Sequence, residues 1–309
     1  MTSTTTRRAF LAGVAASMAV PRLVRGQARR RYPISFSTLG CPTWGWKQIL
    51  DQADRMGYAA IELRGVGSEL DLTKLPEFSP SRIGDARRDL AALGLVISDL
   101  GASSNMHEKE GPARQKHLDE GRRYIDLAKA LGVKYVRMFG DRVPKGDQKA
   151  DVIARVIDGF REMAAHASAA GVTVIIETHG DFTTSDDIVH IVNGVGSNAF
   201  EVLWDAHHTF ASGKEQPADT WARIGKWVRH THLKDSKPGG TDRLYVLVGE
   251  GDVPVKAQVQ VLASNGYKGF YGFEWEKRWH ADIPEPEVAF PHYAKTMGEY
   301  LSAVGVTPS

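Results

Sequence analysis

Beyond residue 33 the chain alternates between two hydrophobic formats in a fixed order. Short, nearly unbroken apolar runs at 34–39, 59–63, 96–100, 135–139, 173–177, 201–205, 228–233 and 269–275 are separated by longer amphipathic stretches. Those stretches occupy 46–56, 81–93, 113–131, 149–170, 186–195, 220–226, 253–264 and 287–304. Runs that stay apolar on successive residues predict strands buried on both faces, and therefore parallel pairing. The longer stretches keep a polar side, exemplified by Gln115, Lys129 and Arg161, and predict helices. Five helical stretches close on a glycine that leads straight into an apolar run: Gly57, Gly94, Gly132, Gly171 and Gly266. Glycine ends a helix cheaply because it adopts the left-handed conformation without a Cβ clash. The first four are spaced 37, 38 and 39 residues apart, which marks a repeating strand–helix unit.

Eight such units fit a single closed α/β (β/α)8 TIM barrel better than an open doubly wound sheet. No Gly-x-Gly-x-x-Gly follows the first strand, and Leu39-Gly40-Cys41-Pro42 is no phosphate cradle. No linker or low-complexity tract interrupts the pattern, so residues 29–309 read as one catalytic domain. Its strands would bring their C-terminal ends to one mouth.

Residues 1–28 lie outside this pattern. Thr4-Thr5-Thr6-Arg7-Arg8-Ala9-Phe10-Leu11 is followed by a weakly apolar run too short to span a bilayer. Paired arginines directly before Ala-Phe-Leu resemble a twin-arginine export signal, which implies recognition by that export machinery and delivery, folded, to the periplasm or outside. Cleavage is expected after Ala28, with Ala19 as an alternative. The whole chain carries 39 basic and 37 acidic residues. Losing Arg7, Arg8, Arg22 and Arg25 leaves 35 basic residues against 37 acidic ones, a net charge of −2. The basic excess therefore belongs to the leader, and the mature domain offers nucleic acid no electrostatic footprint. Nor is stable membrane insertion expected once the leader is gone. Cys41 is the only cysteine, so no intrachain disulfide can form.

Four apolar runs end on metal-capable side chains: VTVIIETH with Glu177, FEVLWDAHH with Asp205, WVRHTHLKD with His232 and FYGFEWE with Glu274. A carboxylate after such a run is expensive to bury unless a cation or an arginine offsets it. Three carboxylates and one imidazole at a common mouth suit one divalent cation, Mn2+ first, with Mg2+, Co2+ or Zn2+ as alternatives. Glu276 competes with Glu274, His230 lies deeper than His232, and His207 stands beside His208. A ligating imidazole also needs an acceptor for its other nitrogen, which the sequence does not identify. Trp44, Trp46, Trp204, Trp275 and Trp279 fall near strand ends, where indoles can cover the C–H face of a sugar. Lys234-Asp235 is either a pair beside the metal or a solvated loop pair. The glycines of 239–240 and 249–251 bracket a loop long enough to cover the mouth.

Glu177, Asp205-x-x-His208, His232-Leu233-Lys234-Asp235 and Glu274 together resemble the xylose-isomerase-like barrel family of sugar isomerases and epimerases, over about residues 34–302. The resemblance implies one metal held by Glu177, Asp205, His232 and Glu274. It implies that Glu177 and Glu274 also move a proton at the carbon beside a keto group, through a cis-enediolate. His208 would contact substrate oxygens, and Glu62 and His107 would line the pocket, joined by Lys234 and Trp275. The chain departs from the epimerases at Thr183 and Pro238, where an acid and an arginine are expected; Lys234, Lys237 or Arg243 would have to substitute. The same family includes lyases and dehydratases acting on keto sugars, keto-inositols and 3-keto-glycosides, and an exported protein meets glycosides readily. The expected partner is thus a small sugar or glycoside. A homo-oligomer is compatible with the pattern, and a non-catalytic sugar-binding protein is the remote alternative.

Overall fold

The computed structural model describes residues 30–239 and 242–309, so the expected leader lies outside the described residues. Eight parallel strands close into a barrel: β1 (Ile34–Ser37), β2 (Ala60–Leu63), β3 (Val96–Asn105), β4 (Tyr135–Phe139), β5 (Thr173–Glu177), β6 (Phe200–Asp205), β7 (Val228–Leu233) and β10 (Tyr271–Phe273). Around the ring the order is β1-β10-β7-β6-β5-β4-β3-β2. The outer layer comprises α1 (Trp46–Met56), α2 (Ile83–Leu93), α3 (Pro112–Leu131), α4 (Lys149–Ala170), α5 (Ser185–Val195), α6 (Ala206–Ala211), α7 (Pro217–Ile224), α8 (Val255–Ser264) and α9 (Pro286–Ala303). No described helix is long and apolar enough to cross a membrane.

The repeat read from the sequence has the expected physical basis. α1, α2, α3 and α4 each end on a left-handed glycine, Gly57, Gly94, Gly132 and Gly171. α4 buries Val152, Val156, Phe160, Met163 and Ala167, a stripe at helical spacing facing the strands. Side chains on the outward face of the strands build the apolar core: Phe36 packs on Phe290 at 4.4 Å and Phe273 stacks on Tyr293 at 4.3 Å.

Inside the barrel the picture inverts. Inward positions carry Glu62, Asp99, Arg137, Glu177, His230 and His232, all buried. Gly101 makes room for this polar filling, because a Cβ there would stand 2.7 Å from both Arg137 Nη2 and Arg64 Cδ. Such a core is costly unless each charge finds a partner.

Three features depart from the sequence pattern. β3 continues to Asn105, with its register to β4 shifting between Gly101 and Asn105. The last barrel strand is only three residues long, so Glu274 sits just past its end. Between β7 and α8 the chain forms an antiparallel hairpin, β8 (Asp235–Gly239) with β9 (Asp242–Val246); the polar Asp-Ser-Lys-Pro-Gly of β8 gave no strand signal.

Candidate active site

Glu177, Asp205, His232 and Glu274 arrive at the mouth from four consecutive staves, β5, β6, β7 and β10. Each offers one donor atom, and these atoms all lie within 4.8 Å of one another. His232 Nδ1 is the focus: it stands 3.4 Å from Glu177 Oε1, 3.3 Å from Glu274 Oε2 and 3.7 Å from Asp205 Oδ2. It is buried and makes no hydrogen bond. Burial alone would strip its proton, but Glu274, Glu62 and Glu177 outweigh that and hold its pKa well above the ordinary histidine value. Three carboxylates that hold a proton on this imidazole would equally hold a divalent ion in that proton's place, with Nδ1 then free to ligate, and these residues fit such an ion.

The local backbone explains how each ligand is presented. Asp205 is the N-cap of α6: Oδ1 accepts from the His208 amide at 2.8 Å, leaving Oδ2 turned to the mouth. The Asp-x-x-His spacing is therefore a helix cap that also puts His208 Nε2 3.5 Å from Asp205 Oδ2. Burial and then the field of Lys234 work against the charged form of His208, and they outweigh the Asp205 carboxylate, so its pKa is lowered. Thr178 locks the end of β6 by donating to the Asp205 carbonyl and accepting its amide. Glu177 carries a buried partner, Arg137, with Nε 3.1 Å from Oε2. Burial would raise the Glu177 pKa, but Arg137 and His232 bring it down to about 2. It is firmly ionised.

Lys234 lies fully buried among the ligands. Its ammonium is 2.7 Å from Asp205 Oδ2 and 2.9 Å from Glu276 Oε1, and it also pairs with Glu274. Desolvation opposes this charge, but the three carboxylates hold its pKa well above the usual lysine value. Asp235 turns the other way and collects the amides of Ser236, Gly249, Gly251 and Val253 at 2.8–3.2 Å. Lys234 thus serves the mouth, while Asp235 ties the loop to the root of the hairpin. That hairpin sets Tyr245 against the His207 and His280 rings, 5.4 and 4.9 Å away. Arg243 donates to Ser236 and pairs with Asp252.

Several expected pocket residues sit elsewhere. Trp275 is fully buried, stacked on Phe273 at 5.4 Å, with Nε1 donating to the Pro284 carbonyl at 2.8 Å. The reason is strand alternation: Gly272, Glu274 and Glu276 face inward, so Trp275 points to the helix layer. It is not available to a substrate. Trp44, Trp46 and Trp204 are buried too, and only Trp279 of the five is exposed. Glu62 does not line the pocket; its Oε2 lies beneath the mouth, 2.6 Å from His232 Nε2 and 3.2 Å from His230 Nε2. His107 stands at the rim, where Nδ1 donates to the Gly140 carbonyl at 3.2 Å and Nε2 faces Glu108 at 3.4 Å.

A further residue at the mouth, not singled out from the sequence, is His179. Its Nδ1 is 3.3 Å from Asp141 Oδ1, and its ring meets His208 edge-on at 5.2 Å. Burial opposes its charge, but Asp141 and Glu177 outweigh this and raise its pKa. Asp141 itself has φ 72, a conformation that non-glycine residues adopt at a cost and that clusters at functional sites. The period of two available at Glu177-Thr178-His179 would have found the histidine.

Residues 50–294 match the model of the xylose isomerase-like TIM barrel family. The chain is 25% identical over 255 residues to an L-ribulose-5-phosphate 3-epimerase from Salmonella typhi, covering 79% of this chain and 86% of that one. Among solved structures it resembles the IOLI protein with a bound zinc atom, with TM-score 0.74, 20% identity and coverage of 88% of this chain and 99% of that one. It also resembles 3-keto-D-glucoside 4-epimerase from E. coli, with TM-score 0.69, 15% identity and coverage of 88% and 100%. The chain belongs to the xylose isomerase-like TIM barrel family, and is related within it to sugar epimerases.

Proposed function

We propose that this protein is a divalent-metal-dependent sugar isomerase or epimerase that moves a proton at the carbon beside a keto group. The observation that carries the reading is His232 Nδ1, buried without a hydrogen bond and facing Glu177, Asp205 and Glu274. Glu177, Asp205, His232 and Glu274 would hold the ion, with Mn2+ preferred for an oxygen-rich set and Mg2+, Co2+ or Zn2+ as alternatives. When bound, the ion supplies a Lewis acid that draws charge from neighbouring oxygens of a hydroxyketone.

The chain's own groups supply the rest. Glu177 and Glu274 stand at the two ends of the four-strand arc, so a substrate between them presents opposite faces to the two carboxylates. One, ionised, takes the proton from the carbon and the C–H electron pair passes into an enediolate; the other, entering as the carboxylic acid, gives its proton to the opposite face, so the two groups exchange protonation states. Lys234 spans Asp205, Glu274 and Glu276 and so limits the repulsion among those carboxylates. His208 and Tyr245 border the space where sugar hydroxyls would lie. The expected substrate is a small keto sugar or glycoside. Arg7-Arg8 supports export by the twin-arginine route to the periplasm or beyond.

A second reading, a lyase acting on keto sugars or 3-keto-glycosides, is favoured by one observation. The Asp141–His179 pair at the same mouth can donate a proton to a departing oxygen. Incubation of the metal-loaded protein with keto sugars and 3-keto-glycosides, followed by product mass spectrometry, tests both. An isomerase or epimerase conserves substrate mass, whereas a lyase expels water or an aglycone. Turnover that survives complete metal removal, or survives Glu177→Gln undiminished, contradicts the proposed chemistry.

A further inference from the structure

A histidine can bind a cation through Nδ1 only if its proton sits on Nε2, and a buried Nε2–H needs an acceptor. For His232 that acceptor comes from across the barrel. Glu62 lies on β2, separated from β7 by β1 and β10, yet its Oε2 is 2.6 Å from His232 Nε2. Small inward residues leave the space for it. Ser37 is in register with Glu62, Ser35 with Gly272, and Gly272 with His232. A Cβ on Gly272 would come within 3.1 Å of the His230 ring.

The carboxylate is itself held. The same Oε2 is 3.2 Å from His230 Nε2, and His230 Nε2 is 3.2 Å from Asp99 Oδ1, which accepts from Ser98 Oγ at 2.8 Å. Glu62 Oε1 has no partner, so the group's buried hydrogen bonding is spent on the two histidines. All of these side chains are buried, those of Glu62, Asp99, His230 and His232 almost completely.

We infer that Glu62 is a positioning residue: it fixes His232 as the Nε2–H tautomer and so makes Nδ1 the metal-binding atom, while His230 and Asp99 hold Glu62 in place. The inference rests on the metal-dependent reading above and deepens it. Outer partners of ligating histidines set metal affinity by about 10–100-fold. Removing the acceptor charge without changing side-chain size therefore weakens the ion's hold and leaves all four ligands in place.

The test uses the full chain, Mn2+ alone as titrant, and two readouts. Free-Mn2+ titration by electron paramagnetic resonance is expected to show one ion per wild-type chain and a dissociation constant about 10–100-fold weaker for Glu62→Gln. In the zinc-loaded wild type with 15N-labelled histidines, the His232 ring is expected to carry a proton on Nε2 and none on Nδ1. An unchanged Mn2+ dissociation constant in Glu62→Gln overturns the inference alone. So does a wild-type spectrum with the proton on Nδ1, a readout that holds even if the variant fails to fold. A wild type that binds no ion overturns the metal-dependent reading, and the inference with it.

Discussion

Lys234→Met gives the sharpest perturbation of the charge balance at the mouth. The lysine is completely buried, and its ammonium lies 2.7 Å from Asp205 and 2.9 Å from Glu276 while also pairing with Glu274. At an effective dielectric of about 20, one contact at that distance has a gross Coulomb energy of about 6 kcal/mol, much of it offset by desolvation. Removing one partner of a buried ion pair typically costs about 3–5 kcal/mol, because the remaining charge is left uncompensated. In a domain of this size that corresponds to a melting temperature lower by roughly 5–9 °C. Methionine keeps the length and apolar stem, so packing loss is small. A divalent ion among Asp205, Glu274, Glu177 and His232 would compensate the same carboxylates. The variant is therefore expected to be destabilised in chelator and to recover more on adding Mn2+ than the wild type gains. Thermal unfolding followed by circular dichroism, with chelator and with saturating Mn2+, measures both quantities. An equal loss of stability in the two conditions would refute the idea that the lysine and the ion neutralise the same charges.

Further expectations follow from individual residues. Burial, with Glu62 next, raises the Asp99 pKa from 3.8 to about 6. The folded state then binds more protons than the unfolded one between those values, so stability falls as pH rises through that window, by at most about 3 kcal/mol. Asp99→Asn removes this loss; urea unfolding at pH 4 and pH 8 should show the variant gaining relative to wild type only at the higher pH. Trp275→Ala should cost about 3–5 kcal/mol of stability by leaving a cavity, whereas exposed Trp279→Ala should cost little, as urea titration of each would show. Replacing Arg7 and Arg8 together with lysine should retain the protein in the cytoplasm, as cell fractionation and immunoblotting would reveal.

Much of the architecture was legible because a parallel barrel writes itself in two plain signals, doubly buried strands and glycine-stopped helices. The strand-ending donors Glu177, Asp205, His232 and Glu274 were legible for the same reason: a carboxylate after an apolar run has few places to go. What escaped depended on side-chain direction and on distance across the barrel. Trp275 looked like a sugar platform until the alternation that turns Glu274 and Glu276 inward sent it outward. That alternation also places His179 and Lys234 at the mouth beside Glu177 and His232. Glu62 could not be matched to His232 from the chain alone, since 170 residues separate them. The hairpin was invisible because β8, Asp235–Gly239, is polar and ends on Pro-Gly, and because Asp235 ties its root through backbone amides that no sequence pattern records.

The proposed chemistry requires one divalent ion held by Glu177, Asp205, Glu274 and His232 Nδ1. Diffraction from a crystal of the protein grown with Mn2+, collected on both sides of the manganese absorption edge, locates the ion. A single strong anomalous peak bonded to those four side chains is expected. Anomalous density that leaves this point empty, or an ion bound through other residues, would contradict it.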